Sequence, residues 1–193
     1  GTPGTNNVEN VSTNKINKQV SKTWTVSNST SKYAVGGTIS GLTGTVTLAN
    51  NGTNTVTLNA NGSFNFSKIL ASGSAYAVTV TSQPVGQTCS VSNSTGSISS
   101  SNVTNVSVTC AANTFTVGGT VSGHTGTITL TNNGGNAINI PAGTSTFTFP
   151  AQNYGSNWDV ELSVSPQVET CSVSSNGTGT NLTANVTDIT VTC

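Results

Sequence analysis

The chain has 193 residues, and five Lys against five acids leave no formal net charge. Only 5% of its residues are charged, far below the roughly 25% of ordinary soluble proteins, so water must be met by Ser, Thr, Asn and Gly. The chain has no Arg and no stretch near the roughly 20 apolar residues of a membrane helix, which argues against both nucleic-acid binding and membrane insertion.

The usual disordered chain is highly charged and poor in β-branched residues. Here Val, Thr and Ile are abundant, which points to β-structure instead. The first patterned stretch is INKQVSKTWTV at 16–26. Ile16, Lys18, Val20, Lys22, Trp24 and Val26 fall on one face of an extended chain, with Asn17, Gln19, Ser21, Thr23 and Thr25 on the other. That period of two predicts a half-buried strand. Upstream of it, NVENVS (7–12) matches NVTNVS (102–107) at five of six positions and resembles NVTDIT (185–190).

Seven further strands are predicted over 33–40, 44–49, 54–59, 63–67, 75–81, 88–92 and 103–110. Alternation is clear in TVTL (45–48 and 55–58), SFNF (63–66), YAVTV (76–80) and VSVTC (106–110). Turn formers separate them: NNG at 50–52, NG at 61–62, and a Ser/Thr/Asn/Gly run at 93–102. Short strands at this spacing, with no helical period, predict an antiparallel β-sandwich burying Val46, Leu48, Phe64, Phe66, Tyr76, Val78 and Val80.

The same plan then recurs. VGGTISGLTGTVTLANNG (35–52) matches VGGTVSGHTGTITLTNNG (117–134) at 14 of 18 positions. QTCSV (87–91) answers ETCSV (169–173), and VSVTC (106–110) answers ITVTC (189–193). The expected organisation is an N-terminal arm over 1–31, one sandwich over 32–112 and a second over 113–193. Charge divides along the same lines. Residues 1–32 carry Lys15, Lys18, Lys22 and Lys32 against Glu9 (+3), residues 33–112 carry only Lys68 (+1), and residues 113–193 carry Asp159, Glu161, Glu169 and Asp188 (−4).

A sandwich of this size buries only about 60% of its unfolded surface and is marginally stable alone. Cys89 opens one predicted strand and Cys110 closes the next, so an antiparallel pair sets them side by side; Cys171 and Cys193 repeat the arrangement. Two disulfides are therefore expected, which implies an oxidising compartment. A four-cysteine metal site is the rival, but the spacing lacks paired C-x2-C ligands.

The motif VGGT[IV]SG-x-TGT[VI]TL-x-NNG, the Phe-x-Phe strand, YAVTVTSQP and QTCSV resemble tandem bacterial cell-surface Ig-like repeats and, more distantly, the prealbumin-like modules of surface adhesins. Repeat 2 departs from the pattern at WDVELSVSP. The resemblance covers residues 33–193 and implies an all-β pair of Ig-like sandwiches in a secreted or surface-displayed bacterial protein, its signal peptide already removed. It implies no particular ligand.

Little here carries chemistry. His124 is the only His, its counterpart is Leu42 in a predicted turn, and no acid or reactive Cys lies beside it in sequence, so it reads as an exposed loop residue and the chain as no enzyme. Repeat 1 has Lys68 without an acid, and repeat 2 has acids without a Lys, so neither can form a Lys–Asn isopeptide bond internally. Asp159 and Glu161 alternate on the outside of a strand that turns Trp158, Val160 and Leu162 inward, and two carboxylates make no calcium cage. Eleven N-x-[ST] matches, including Asn10, Asn28, Asn51 and Asn181, are about what this composition gives by chance. No cofactor or metal is expected.

The leader strand then stands out as surplus. It can fold back on repeat 1, or it can add to a sheet edge of another molecule. A basic leader and an acidic second repeat suit head-to-tail contact, which generates open filaments. The expectation is an extracellular filament subunit with Ile16, Val20, Lys22, Trp24 and Val26 at the subunit interface, its partner being further copies of itself. The alternative is a surface adhesin binding glycans or host components through Ser/Thr/Asn-rich loops. A passive spacer is disfavoured because the chain ends on Cys193.

Overall fold

A computed structural model describes residues 30–193. Repeat 1 contains β1 (Lys32–Tyr33), β2 (Val35–Ser40), β3 (Val46–Asn50), β4 (Asn54–Leu58), β5 (Gly62–Asn65), β6 (Leu70–Ala71), β7 (Ala75–Ser82), β8 (Gln87–Ser92), β9 (Thr95–Ser97) and β10 (Val103–Ala112). Repeat 2 follows with β11 (Thr114–Phe115), β12 (Val117–Ser122), β13 (Ile128–Asn132), β14 (Gly135–Ile140), β15 (Thr146–Thr148), β16 (Gln152–Asn153), β17 (Trp158–Val164), β18 (Ser172–Ser175), β19 (Thr178–Gly179) and β20 (Val186–Thr192). Each strand of repeat 2 is the counterpart of the one numbered ten lower.

The sheets repeat as well. In repeat 1, β5-β2-β10-β8 and β4-β3-β7-β9 face each other, with the short β1–β6 pair beside them; the same orders recur ten numbers higher. The alternating residues supply the two cores. Val46, Leu48, Phe64, Phe66, Tyr76 and Val78 are buried, while Val80 is half-buried and packs at the margin. In repeat 2, Ile128, Leu130, Phe147, Phe149 and Val160 are buried, with Trp158 and Leu162 packed against them. Each Phe-x-Phe pair meets edge to face at 5.9 Å between ring centres, the arrangement favoured by the ring quadrupole.

One pairing in each repeat departs from the antiparallel expectation. β2 runs parallel to β10, with Val106 opposite Gly37 and Thr109 opposite Ser40, and β12 runs parallel to β20. A chain that enters a sandwich at one end and leaves at the other must send its first and last strands in the same direction; as neighbours they are then parallel. We call these ends the entry pole and the exit pole.

The VGGT motif belongs to this parallel contact. A Cβ added at Gly37 would lie 1.7 Å from the Val106 carbonyl oxygen, and one at Gly119 would lie 1.8 Å from that of Ile189. No side chain fits there. The strand predicted over 33–40 also breaks at Ala34, where the Asn102 side-chain oxygen accepts the backbone N–H at 2.9 Å; Asn185 does the same for Thr116.

The Ser/Thr/Asn/Gly run at 93–102 is more than a connection. It contains β9 and the buried Ile98, whose counterpart is the buried Leu182. The Asn-Gly turns behave as their chemistry requires: Asn51, Gly52, Asn133 and Gly134 all take positive φ, between 52° and 73°.

Candidate assembly surfaces: sheet edges and poles

Cys89 lies directly opposite Cys110 in the β8–β10 register, and the two are bonded, as are Cys171 and Cys193; both pairs have Cα atoms 3.9 Å apart. Bridges spanning 21 and 22 residues are worth roughly 3 kcal/mol each through restriction of the unfolded chain. Glu169 lies near the second bridge, but bonded sulfurs are not the thiolates a metal site needs.

The turn after β2 is clasped in both repeats. Gln87, buried at the start of β8, accepts the Thr43 N–H at 2.8 Å and donates to the Gly41 carbonyl at 2.7 Å. Its counterpart Glu169 accepts the Thr125 N–H at 2.9 and 3.0 Å and the Thr125 hydroxyl as well. That hydroxyl first, then the N–H, hold the carboxyl below its ordinary 4.5; partial desolvation opposes them and the neighbouring His124 assists.

His124 differs from its sequence reading. It is half-buried rather than exposed, its Nε2 lies 3.1 Å from the Pro141 carbonyl oxygen, and the fold brings Glu169 to its neighbour Thr125. Nε2 is committed to Pro141 and Glu169 to Thr125, so no proton relay joins His124 to a hydroxyl nucleophile through these bonds. Asp159 and Glu161 stand exposed on the outer face of β17. Asp188 accepts a 3.0 Å bond from the Asn176 amide.

The outer edges of β8 and β18 are treated differently. In repeat 1 the Gln83 side chain pairs with the edge: it accepts the Cys89 N–H at 2.7 Å and donates to the Cys89 carbonyl at 3.0 Å. In repeat 2 the place of Gln83 is taken by Ser165, whose hydroxyl is reached by the Cys171 N–H only at 3.4 Å. Beside this barer edge lies an open groove of about 330 Å³ lined by Val160, Val173 and residues 174–178. The difference lies within the departure of WDVELSVSP from YAVTVTSQP, where Ser165 stands opposite Gln83, but the sequence did not say that Gln83 reaches a sheet edge.

A single residue, Asn113, connects β10 to β11. It makes the joint between the repeats. Its N–H donates to the Gly86 carbonyl, its side-chain oxygen accepts the Thr88 hydroxyl at 2.7 Å, and its carbonyl accepts the Tyr154 N–H. The Tyr154 ring lies on Gly86, where an added Cβ would be 2.3 Å from Cδ1. The interface residues expected in the leader, Ile16, Val20, Lys22, Trp24 and Val26, lie outside the described residues. Among the described residues, no helix is long and apolar enough to cross a membrane.

No protein-family model matches the chain, and no curated protein does. Among solved structures, the major pilin protein (T-13) from Streptococcus pyogenes serotype GAS131465 aligns at 12% identity over 84% of this chain and 97% of that one, with a TM-score of 0.31. A likeness that loose carries neither strand order nor role across to this chain.

Proposed function

We propose that the protein is a structural subunit of an extracellular, pilus-like filament, and that its leader strand adds to the β18 edge of a neighbouring copy. The supporting observation is the β18 edge beside its groove, met only by the long Ser165–Cys171 bond, set against the β8 edge of repeat 1 that Gln83 caps with two shorter bonds. A weakly capped edge offers backbone groups to an incoming strand. The leader offers eleven alternating residues with Ile16, Val20, Trp24 and Val26 on one face, which they share with Lys18 and Lys22. Strand hydrogen bonds and the burial of Ile16, Val20, Trp24 and Val26 supply the affinity, on the order of 6–10 kcal/mol before ordering costs. Lys15, Lys18 and Lys22 set orientation against an acidic repeat. The two disulfides suit an oxidising, extracellular setting.

Removal of residues 1–29 tests this. The truncated chain should keep the unfolding transitions of both sandwiches and form no fibres by electron microscopy. Trp24→Ala should raise the critical concentration for assembly by roughly 10- to 100-fold. Undiminished fibres from the truncated chain, or a full-length chain that stays monomeric by light scattering at high concentration, would overturn the reading.

A further inference from the structure

We infer that the exit pole of repeat 2 is the seat for the entry pole of repeat 1 in a second copy, set there by the step that relates the two repeats within one chain. The inference rests on the filament reading for its partner, but on different residues. Four large apolar side chains are strongly exposed among the described residues, and three lie at the outer poles: Ile69 (52%) at the entry pole of repeat 1, and Val164 (51%) and Val168 (86%) at the exit pole of repeat 2. At the inner joint, Val164 and Val168 are replaced by Ser82 and Gly86. The fourth, Val85, lies beside the inner joint.

The replacements match across the gap. Inside the chain, Gly86 receives the large Tyr154. At the outer poles the sizes are reversed, with Val168 in the place of Gly86 and Ser72 in the place of Tyr154. The equivalence is structural: the Ser72 N–H donates to the Ser31 carbonyl as the Tyr154 N–H donates to that of Asn113.

Charge follows the same rule. Gln87 and Thr114 at the inner joint are neutral, while their outer counterparts are Glu169 and Lys32. Lys68 adds a second positive charge to the entry pole, where the corresponding stretch of repeat 2 is the uncharged Pro150-Ala151. The outer poles are thus complementary in size and in sign, and a second copy of this chain is the partner that fits both.

Charge reversal in the full chain tests the contact. Lys32→Glu and Glu169→Lys should each raise the critical concentration for assembly by roughly three- to tenfold. An equimolar mixture of the two variants should recover it, because each then meets an opposite charge. Glu169→Lys also breaks the Thr125 clasp, so a second pair is needed. Ser72→Tyr alone should impair assembly, and adding Val168→Gly should restore it by copying the inner joint.

If neither pair shows rescue while removal of residues 1–29 still abolishes fibres, the polar seat is wrong and the strand-addition reading stands. If rescue holds while the truncated chain still assembles, the seat is upheld and strand addition falls. A full-length chain that never associates overturns both.

Discussion

In repeat 1 the turn at residues 41–44 is held by an amide that both donates and accepts: Gln87 bonds the Gly41 carbonyl and the Thr43 N–H, and Leu42 is buried beside it. In repeat 2 a carboxylate can only accept. Glu169 gathers the N–H and hydroxyl of Thr125, loses the bond to the preceding glycine carbonyl, and has His124 rather than a leucine next door. The backbone is the same, but one clasp is indifferent to pH and the other is not. A duplicated module can therefore keep its fold while residues at its ends diverge, even where one of them, Leu42, belongs to the first core.

The comparison is tested most severely in the cores. Phe66→Ala and Phe149→Ala empty fully buried sites and should each cost roughly 3–5 kcal/mol, read as a downward shift of one calorimetric transition. Equal shifts are expected. A difference above about 1 kcal/mol would show that the two cores do not pack alike.

The edges should give a smaller effect. Gln83→Ala removes two hydrogen bonds to Cys89 and should cost roughly 1–2 kcal/mol in urea unfolding. Ser165→Gln should install the same cap on β18 and slow fibre growth without lowering stability. Faster or unchanged growth in that variant would break the contrast between the edges.

The clasp gives the smallest effect at neutral pH and shows itself in acid. The folded-state pKa of Glu169 lies below its ordinary value, so the associated stability is present above that ordinary value. It is lost as pH falls through the lower, folded value. Hydrogen exchange at the Thr125 N–H should accelerate, relative to Thr43, as acid protonates Glu169 below the ordinary carboxylate range. Glu169→Gln should flatten that acid limb and make the two turns behave alike.

Much of this was legible in the sequence because strands that bury one face must alternate. TVTL, SFNF and YAVTV could be placed, and the cysteines, at matching distances in both copies, fell beside each other. What could not be read was non-local. Two consecutive glycines say that side chains are unwelcome, but only the approach of Val106 and Ile189 says why. The parallel β2–β10 pair has no local signature, since its partners are more than sixty residues apart. Ile98 and Leu182 are single apolar residues in polar runs, too isolated to form a pattern, yet both are buried. The meeting of Glu169 with Thr125 spans 44 residues, so inspecting the sequence neighbours of His124 could not find it. For the leader, the alternation of 16–26 states that one face seeks cover without stating whose.

The parallel pair also has a mechanical meaning. Tension on a chain of such units draws β2 toward one pole and β10 toward the other, so the bonds between Gly37 and Thr109 are loaded in shear and must yield together instead of unzipping in turn. The Cys89–Cys110 link stands at the far end of that seam and keeps the loop between those residues from unreeling even after rupture. With β12, β20 and the second link repeating the arrangement, a pull on the two ends of the chain would load both repeats in the same way.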